Sequence, residues 1–143
     1  MAKNDPVTVA QLGEFDALLD ARSPAEFADD HVPAATNCPV LSNDERIRVG
    51  TLYQQVSPFE ARKIGAVLVA RNIAQHIETL MLEQPKSWRP LVYCWRGGQR
   101  SGAFCHILRE IGWMLSACTA ATRAGASMCW RGCKHCRQLC TTA

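Results

Sequence analysis

Apolar residues fall in short clusters along this chain, and their spacing alternates between strand-like and helix-like. Ala17-Leu18-Leu19 ahead of Asp20 is a compact apolar run ending in a polar turn, the pattern of a short buried strand. Three helix starts follow, each a serine with a glutamate three residues on: Ser23/Glu26, Ser42/Glu45 and Ser57/Glu60. In a capping box the serine oxygen accepts from an early backbone N–H while the glutamate reaches back to the cap. Pro24 and Pro58 stand at the first helical position, where a missing N–H costs nothing. The second helix is predicted to reach about Gln54 and the third about Glu83. The third carries Ile64, Val67, Leu68, Ile73, Ile77, Leu80 and Met81 roughly on one face.

Pro85 and Pro90 bracket a surface loop, after which Leu91-Val92-Tyr93 suits a central strand. Gly97-Gly98 makes a turn, and Ser101 to Ile111 reads as a helix that stops at Gly112. Strands alternating with helices imply an α/β domain with a mainly parallel sheet. No internal repeat is visible.

Composition places the chain among soluble globular domains: 143 residues, 48% apolar and 20% charged. No apolar run approaches the roughly 20 residues needed to span a bilayer, and the N-terminus lacks a secretory pattern, so a cytoplasmic location is expected. The net charge of +3 is unevenly placed. Up to Glu110 there are 12 Lys and Arg against 13 acids; after it come four basic residues and no acid. Cysteine is equally lopsided, with Cys38, Cys94 and Cys105 before that break and Cys118, Cys129, Cys133, Cys136 and Cys140 after it. A basic balance of this kind is poor evidence for nucleic-acid binding.

The chemistry concentrates in Cys94-Trp95-Arg96-Gly97-Gly98-Gln99-Arg100-Ser101, between the expected strand and helix. Loop N–H groups and the positive end of the following helix can hold an anion there. That field, with Arg96 and Arg100, favours a thiolate at Cys94. Gly97 and Gly98 let the backbone curl so that several N–H groups converge, and Arg100 offers a planar fork for a tetrahedral oxyanion. A buried structural cysteine is the plainer alternative, but packing does not need two arginines and two glycines within six residues. Cys38 and Cys105 lack such surroundings and read as core. His31, His76 and His106 show no catalytic partner pattern, and Trp88 and Trp113 read as core or loop packing.

Asp20-Ala21-Arg22, Glu26-Phe27, His31-Val32-Pro33-Ala34-Ala35 and Asn37-Cys38-Pro39 resemble the rhodanese pattern that precedes an active-site strand. Asp30 departs from it, since rhodaneses usually carry Gly before the histidine. More narrowly, Asn43-Asp44-Glu45-Arg46, Val49-Gly50-Thr51 and Tyr53, together with the Cys94–Ser101 segment, resemble the bacterial tRNA 2-selenouridine synthases. The likeness runs from about Leu12 to Trp113. It implies a rhodanese-like fold and a selenotransferase that replaces the sulfur of 2-thiouridine at the tRNA wobble position. Selenophosphate, made by a separate supplying enzyme, is the implied donor, with an S-geranylated uridine as an intermediate in some members. Cys94 is then the essential thiol, taking selenium or the leaving group covalently. Arg96, Gly97, Gly98, Gln99, Arg100 and Ser101 cradle the donor, while Asp20 and Arg22 brace the loop. No bound cofactor or metal is expected, and the tRNA-contacting residues are not placed.

The resemblance also implies a further strand, a Gly-Gly-Tyr-Lys segment, a helix and a second domain with a phosphate-binding loop. The chain has no G-x-x-x-x-G-K followed by Ser or Thr. Cys118 to Ala126 can be written in synonymous codons that, moved back one base, read Leu-His-Gly-Gly-Tyr-Lys-Gly-Trp-Arg. A frameshift between about Gly112 and Ala117 is therefore expected. It would leave a rhodanese-like domain at 1–113 lacking its last strand and helix, and an unstructured tail at 114–143. A zinc site on Cys129, Cys133, Cys136 and Cys140 beside His135 is the rival reading of the tail. For the whole chain the alternatives are a stand-alone sulfurtransferase with a persulfide on Cys94, a phosphatase using the C-x5-R spacing of Cys94 and Arg100, and an inactive remnant.

Overall fold

A computed structural model describes residues 9–94 and 99–118 of the chain, with side chains described over 11–94 and 99–115. After a 3-10 turn at Val9–Glu14 the elements are β1 (Ala17–Asp20), α1 (Pro24–Asp29), β2 (Thr36–Asn37), α2 (Asn43–Gln55), α3 (Pro58–His76), β3 (Pro90–Tyr93), α4 (Gln99–Ile111) and β4 (Ser116–Cys118). The four strands form one parallel sheet in the order β2-β1-β3-β4. Its register sets Asp20 opposite both Asn37 and Tyr93, so the polar ends of β1, β2 and β3 lie side by side. All four residues of β3 are buried, as expected of an inner strand in a parallel sheet, whose faces helices cover.

The expected α/β architecture holds. One part of the expectation is corrected: the last strand is present. Gly112, at φ +108°, ends α4 in a conformation that only glycine takes without strain, and its N–H closes on the Arg109 carbonyl. The chain then turns back, buries Trp113 and Leu115, and pairs Leu91, Val92 and Tyr93 of β3 with Ser116, Ala117 and Cys118. An extended strand needs little more than backbone groups opposite an open edge, which is why it forms past residue 113. The helix expected to be lacking, and the tail residues Cys129, Cys133, His135, Cys136 and Cys140, lie outside the described residues.

The three helix starts behave differently at close range. Ser42 and Glu45 form the complete reciprocal box, with bonds of 3.2 and 2.8 Å. At α3 the Ser57 hydroxyl accepts from the Glu60 N–H, while the Glu60 carboxylate turns to Lys63 at 2.7 Å. At α1 Glu26 accepts from both the N–H and the hydroxyl of Ser23.

The apolar face of α3 also differs from the expectation. Leu68, Ile73 and Met81 are buried, but Val67 and Leu80 are at least half exposed. Val67 is the immediate neighbour of Leu68 and so points away from the buried line. Beyond His76 the helix widens into a π turn at Ile77–Met81. With more residues per turn, the four-residue spacing Ile73-Ile77-Met81 stays on the buried line and Leu80 is carried outward. The core continues through Leu19, Val92, Phe104 and Leu108 to an edge-to-face pair of Trp88 and Trp113, 5.1 Å between centroids. No described helix is long and apolar enough to cross a membrane.

Ala34 occupies a left-handed conformation, φ 65°, in the turn closed by the Ala35 N–H on the Val32 carbonyl. With Pro33 at the preceding corner this is the turn geometry that asks for glycine. A left-handed L-residue costs roughly 1–2 kcal/mol, and glycine's extra chain entropy returns part of the gain. Ala34→Gly is therefore expected to stabilise the fold by about 0.5–1 kcal/mol, read from the urea midpoint; an unchanged or lower midpoint would contradict the strain.

Candidate active site

The C-terminal ends of parallel strands are where open α/β sheets place their ligands. Here that edge starts with Asp20, wholly buried, and Arg22, 3% exposed. Both oxygens of Asp20 receive the Arg22 guanidinium, at 2.6 to 3.1 Å, and Oδ1 also accepts the Arg22 backbone N–H at 2.9 Å. Arg22 reaches on to the Asp30 carbonyl and lies over the Tyr93 ring, 5.8 Å from its centroid. Asn37 Nδ2 donates to the Asp20 and Arg22 carbonyls, and the Tyr93 hydroxyl accepts from the Val32 N–H. Burial works to lower the arginine's pKa, but the Asp20 bonds outweigh it and the value is raised. Burial, with the nearby Asp20 charge, raises that of the Tyr93 phenol. This network faces inward and ties together the ends of β1, β2 and β3.

Cys94 follows β3 directly and is fully buried. Its thiol donates to Ser101 Oγ at 3.1 Å and accepts from the Ser101 backbone N–H at 3.3 Å. Ser101 lies in the first turn of α4, where backbone N–H groups have no partner within the helix. Once the proton leaves, the hydroxyl can rotate to donate, so two donors converge on the sulfur. The end of β3 and the start of α4 thus hold one thiol against one hydroxyl. Arg96, Gly97 and Gly98 of the expected cradle, and Trp95 before them, lie outside the described residues. Gln99 is exposed at the start of α4.

Arg100 is directed to Glu26 of α1, with NH1–Oε2 at 2.7 Å and NH2–Oε1 at 3.3 Å. The same Oε2 holds Ser23 and lies 3.6 Å from Arg46 Nε of α2. Burial pushes the Glu26 carboxyl upward, but the Arg100 and Ser23 bonds more than offset this and hold it at about 2. Cys38 and Cys105 differ from Cys94 in surroundings: burial first, then the charge of Asp20, raises Cys38 to about 11. Burial also raises Cys105 to about 11, with Arg109 working against it. Both are protonated core thiols near neutrality. His31 stacks on Phe27 and bonds its carbonyl, His76 bonds the Pro39 carbonyl, and His106 is exposed.

A model of the rhodanese-like domain matches residues 6–119. The chain belongs to that family. Among curated proteins it is similar to the tRNA 2-selenouridine synthase of Nitrosomonas europaea, 36% identical over 96 residues, covering 66% of this chain and 25% of that protein. It is also similar to those of Bdellovibrio bacteriovorus, 35% over 103 residues, and Psychromonas ingrahamii, 36% over 98 residues, with coverages of 66% and 25%, and 66% and 26%. The chain spans about a quarter of the length of these relatives. Among solved structures, the N-terminal domain of a protein from Clostridium difficile 630 titled as ATP/GTP binding superposes with a TM-score of 0.64 at 25% identity. That likeness covers 79% of this chain and 89% of the other.

Within this rhodanese-like domain, the structure brings Cys94 and Ser101 into contact, and Asp20 and Arg22 beneath the same strand ends. Sequence reasoning did not anticipate that Glu26 brings Arg100 and Arg46 to one carboxylate oxygen. Glu26 was legible as a helix cap, which it is, and nothing local distinguishes a cap that also receives a distant arginine. Arg46 carried only the signal of lying in the Asn43–Arg46 block.

Two outcomes follow. Asp20→Ala leaves the Arg22 charge buried without its carboxylate, which is expected to destabilise the domain by about 3–5 kcal/mol in urea unfolding; wild-type stability would contradict the brace. Glu26 has a folded pKa below its ordinary value, so its stabilisation is complete above about 4.5 and is lost as pH falls towards about 2. Glu26→Gln should accordingly flatten the fall in stability across that window, and an unchanged acid profile would count against the Arg100 pair.

Proposed function

We propose that this rhodanese-like domain carries the thiol of a tRNA 2-selenouridine synthase, exchanging selenium for sulfur at a wobble 2-thiouridine with selenophosphate as donor. The observation that carries the reading is the buried Cys94 thiol on the Ser101 N–H and hydroxyl, at the start of a helix in C-x5-R spacing with Arg100. A thiolate at a helix start, with oxyanion-binding groups beside it, suits attack at phosphorus or at a transferable chalcogen. The named relatives support the substrate class.

The sequence of steps needs no oxidant. The Cys94 thiolate attacks phosphorus of selenophosphate; an S–P bond forms as the P–Se bond breaks, and hydrogen selenide leaves with the electron pair. Selenide adds at C2 of the 2-thiouracil ring and the sulfur departs as hydrogen sulfide. Water then hydrolyses the phosphocysteine. Arg96, Gly97, Gly98, Gln99, Arg100 and Ser101 serve this reading as the oxyanion cradle. Partners are the 2-thiouridine tRNA and the enzyme that supplies selenophosphate.

Incubation with selenophosphate, thiosulfate and an aryl phosphate in turn, with Cys94→Ser as control, tests the reading. Selenide release and a phosphoryl group on Cys94, absent in the variant, are expected, the selenium isotope pattern telling phosphoryl from perselenide in the mass spectrum. A Cys94 persulfide from thiosulfate without consumption of selenophosphate would make the protein a sulfurtransferase instead.

A further inference from the structure

We propose that Arg46 of α2 is a donor-binding residue, paired with Arg100 by Glu26 into a two-arginine clamp for the phosphate end of the donor; this rests on the reading of Cys94 above. Glu26 is the positioning residue. Its Oε2 accepts from the Ser23 N–H at 3.1 Å and the Ser23 hydroxyl at 2.9 Å, so the carboxylate is held by its own helix start. Arg100 and Arg46 arrive at that same oxygen from two other elements, at 2.7 and 3.6 Å. Two guanidiniums on one carboxylate leave a net positive charge. Residue Arg100 is adjacent to Ser101, whose N–H and hydroxyl hold the Cys94 sulfur.

The two arginines differ in a way that suits a clamp. Arg100 uses both terminal nitrogens on Glu26 and is 20% exposed, so its direction is set. Arg46 is 51% exposed and meets Glu26 through Nε alone. Its terminal fork has no hydrogen bond among the described residues and is free to form a bidentate pair with a phosphate. The helix that carries it begins with the complete Ser42/Glu45 cap, and Glu45 is tied to Asn72 of α3 at 2.7 Å, so the backbone under Arg46 is anchored. A carboxylate that both arginines share keeps two like charges close before the anion arrives.

The test is calorimetric titration of the full chain with inorganic phosphate at constant ionic strength. Variants are Arg46→Ala, Arg46→Lys and, as a distant charge control, Arg62→Ala on the exposed side of α3. The dissociation constant is expected to rise about 5- to 10-fold in Arg46→Ala, to be partly restored in Arg46→Lys, and to stay unchanged in Arg62→Ala. Thermal unfolding without phosphate checks that each variant is folded. Equal weakening by Arg46→Ala and Arg62→Ala reduces the effect to general charge and overturns the clamp. Wild-type affinity in Arg46→Ala, in a protein that still releases selenide from selenophosphate, overturns the clamp alone. No phosphate binding by the wild type removes the clamp and the anion-cradle reading together.

Discussion

Asp20 and Arg22 form an ion pair almost out of contact with water, and the active edge of the sheet is built around it. Isolated, either charge would be strongly destabilising at that depth. Together, the bidentate contact, the Arg22 N–H, the Asp30 carbonyl and the Asn37 amide satisfy the groups that burial removes from water. Such a pair contributes less to net stability than an apolar replacement could, and its value lies in geometry. Because Asp20 is opposite Tyr93 in the register, the pair fixes where β3 ends, and Cys94 is the next residue. The position of the Cys94 sulfur is therefore set by a charge pair on the neighbouring strand.

From there the sulfur needs only a helix that starts in the right place. Arg100 is fixed on Glu26, and Ser101 then presents its N–H and hydroxyl to Cys94. The core thiols show what the same element is like without this arrangement. Cys105 lies one turn further along α4, wholly buried beside Phe104 and Leu108, and remains protonated near neutrality. The two cysteines thus differ in surroundings, Cys94 bonded to the helix start and Cys105 packed in the apolar interior.

Much of this was legible in the sequence because it is local. The apolar run before Asp20, the Ser-x-x-Glu starts and the strand–glycine–helix punctuation at Cys94 each depend on neighbours within a few residues. The misjudged features depend on distant ones. Leu80 fits an ideal helical stripe, but a π turn after His76 changes the angular spacing, and no residue type announces it. Ser116–Cys118 has a composition unlike its surroundings, yet an open strand edge beside β3 accepts backbone of almost any sequence. Glu26 and Arg46 acquire their meaning only when α1, α2 and α4 meet.

That meeting has a consequence for the stability of α1. The helix has six residues and buries none of them, too few to hold together by propensity or by packing of an apolar face. What holds it is its first turn: Pro24 at the start, Ser23 and Glu26 locked together, and Arg100 reaching across from α4. The Phe27–His31 stack secures the other end. The ion pair that directs Arg100 is thus also a principal tertiary tie of α1. Arg46 of α2 rests on the same Glu26 oxygen through Nε and adds a second tie between α1 and its neighbours.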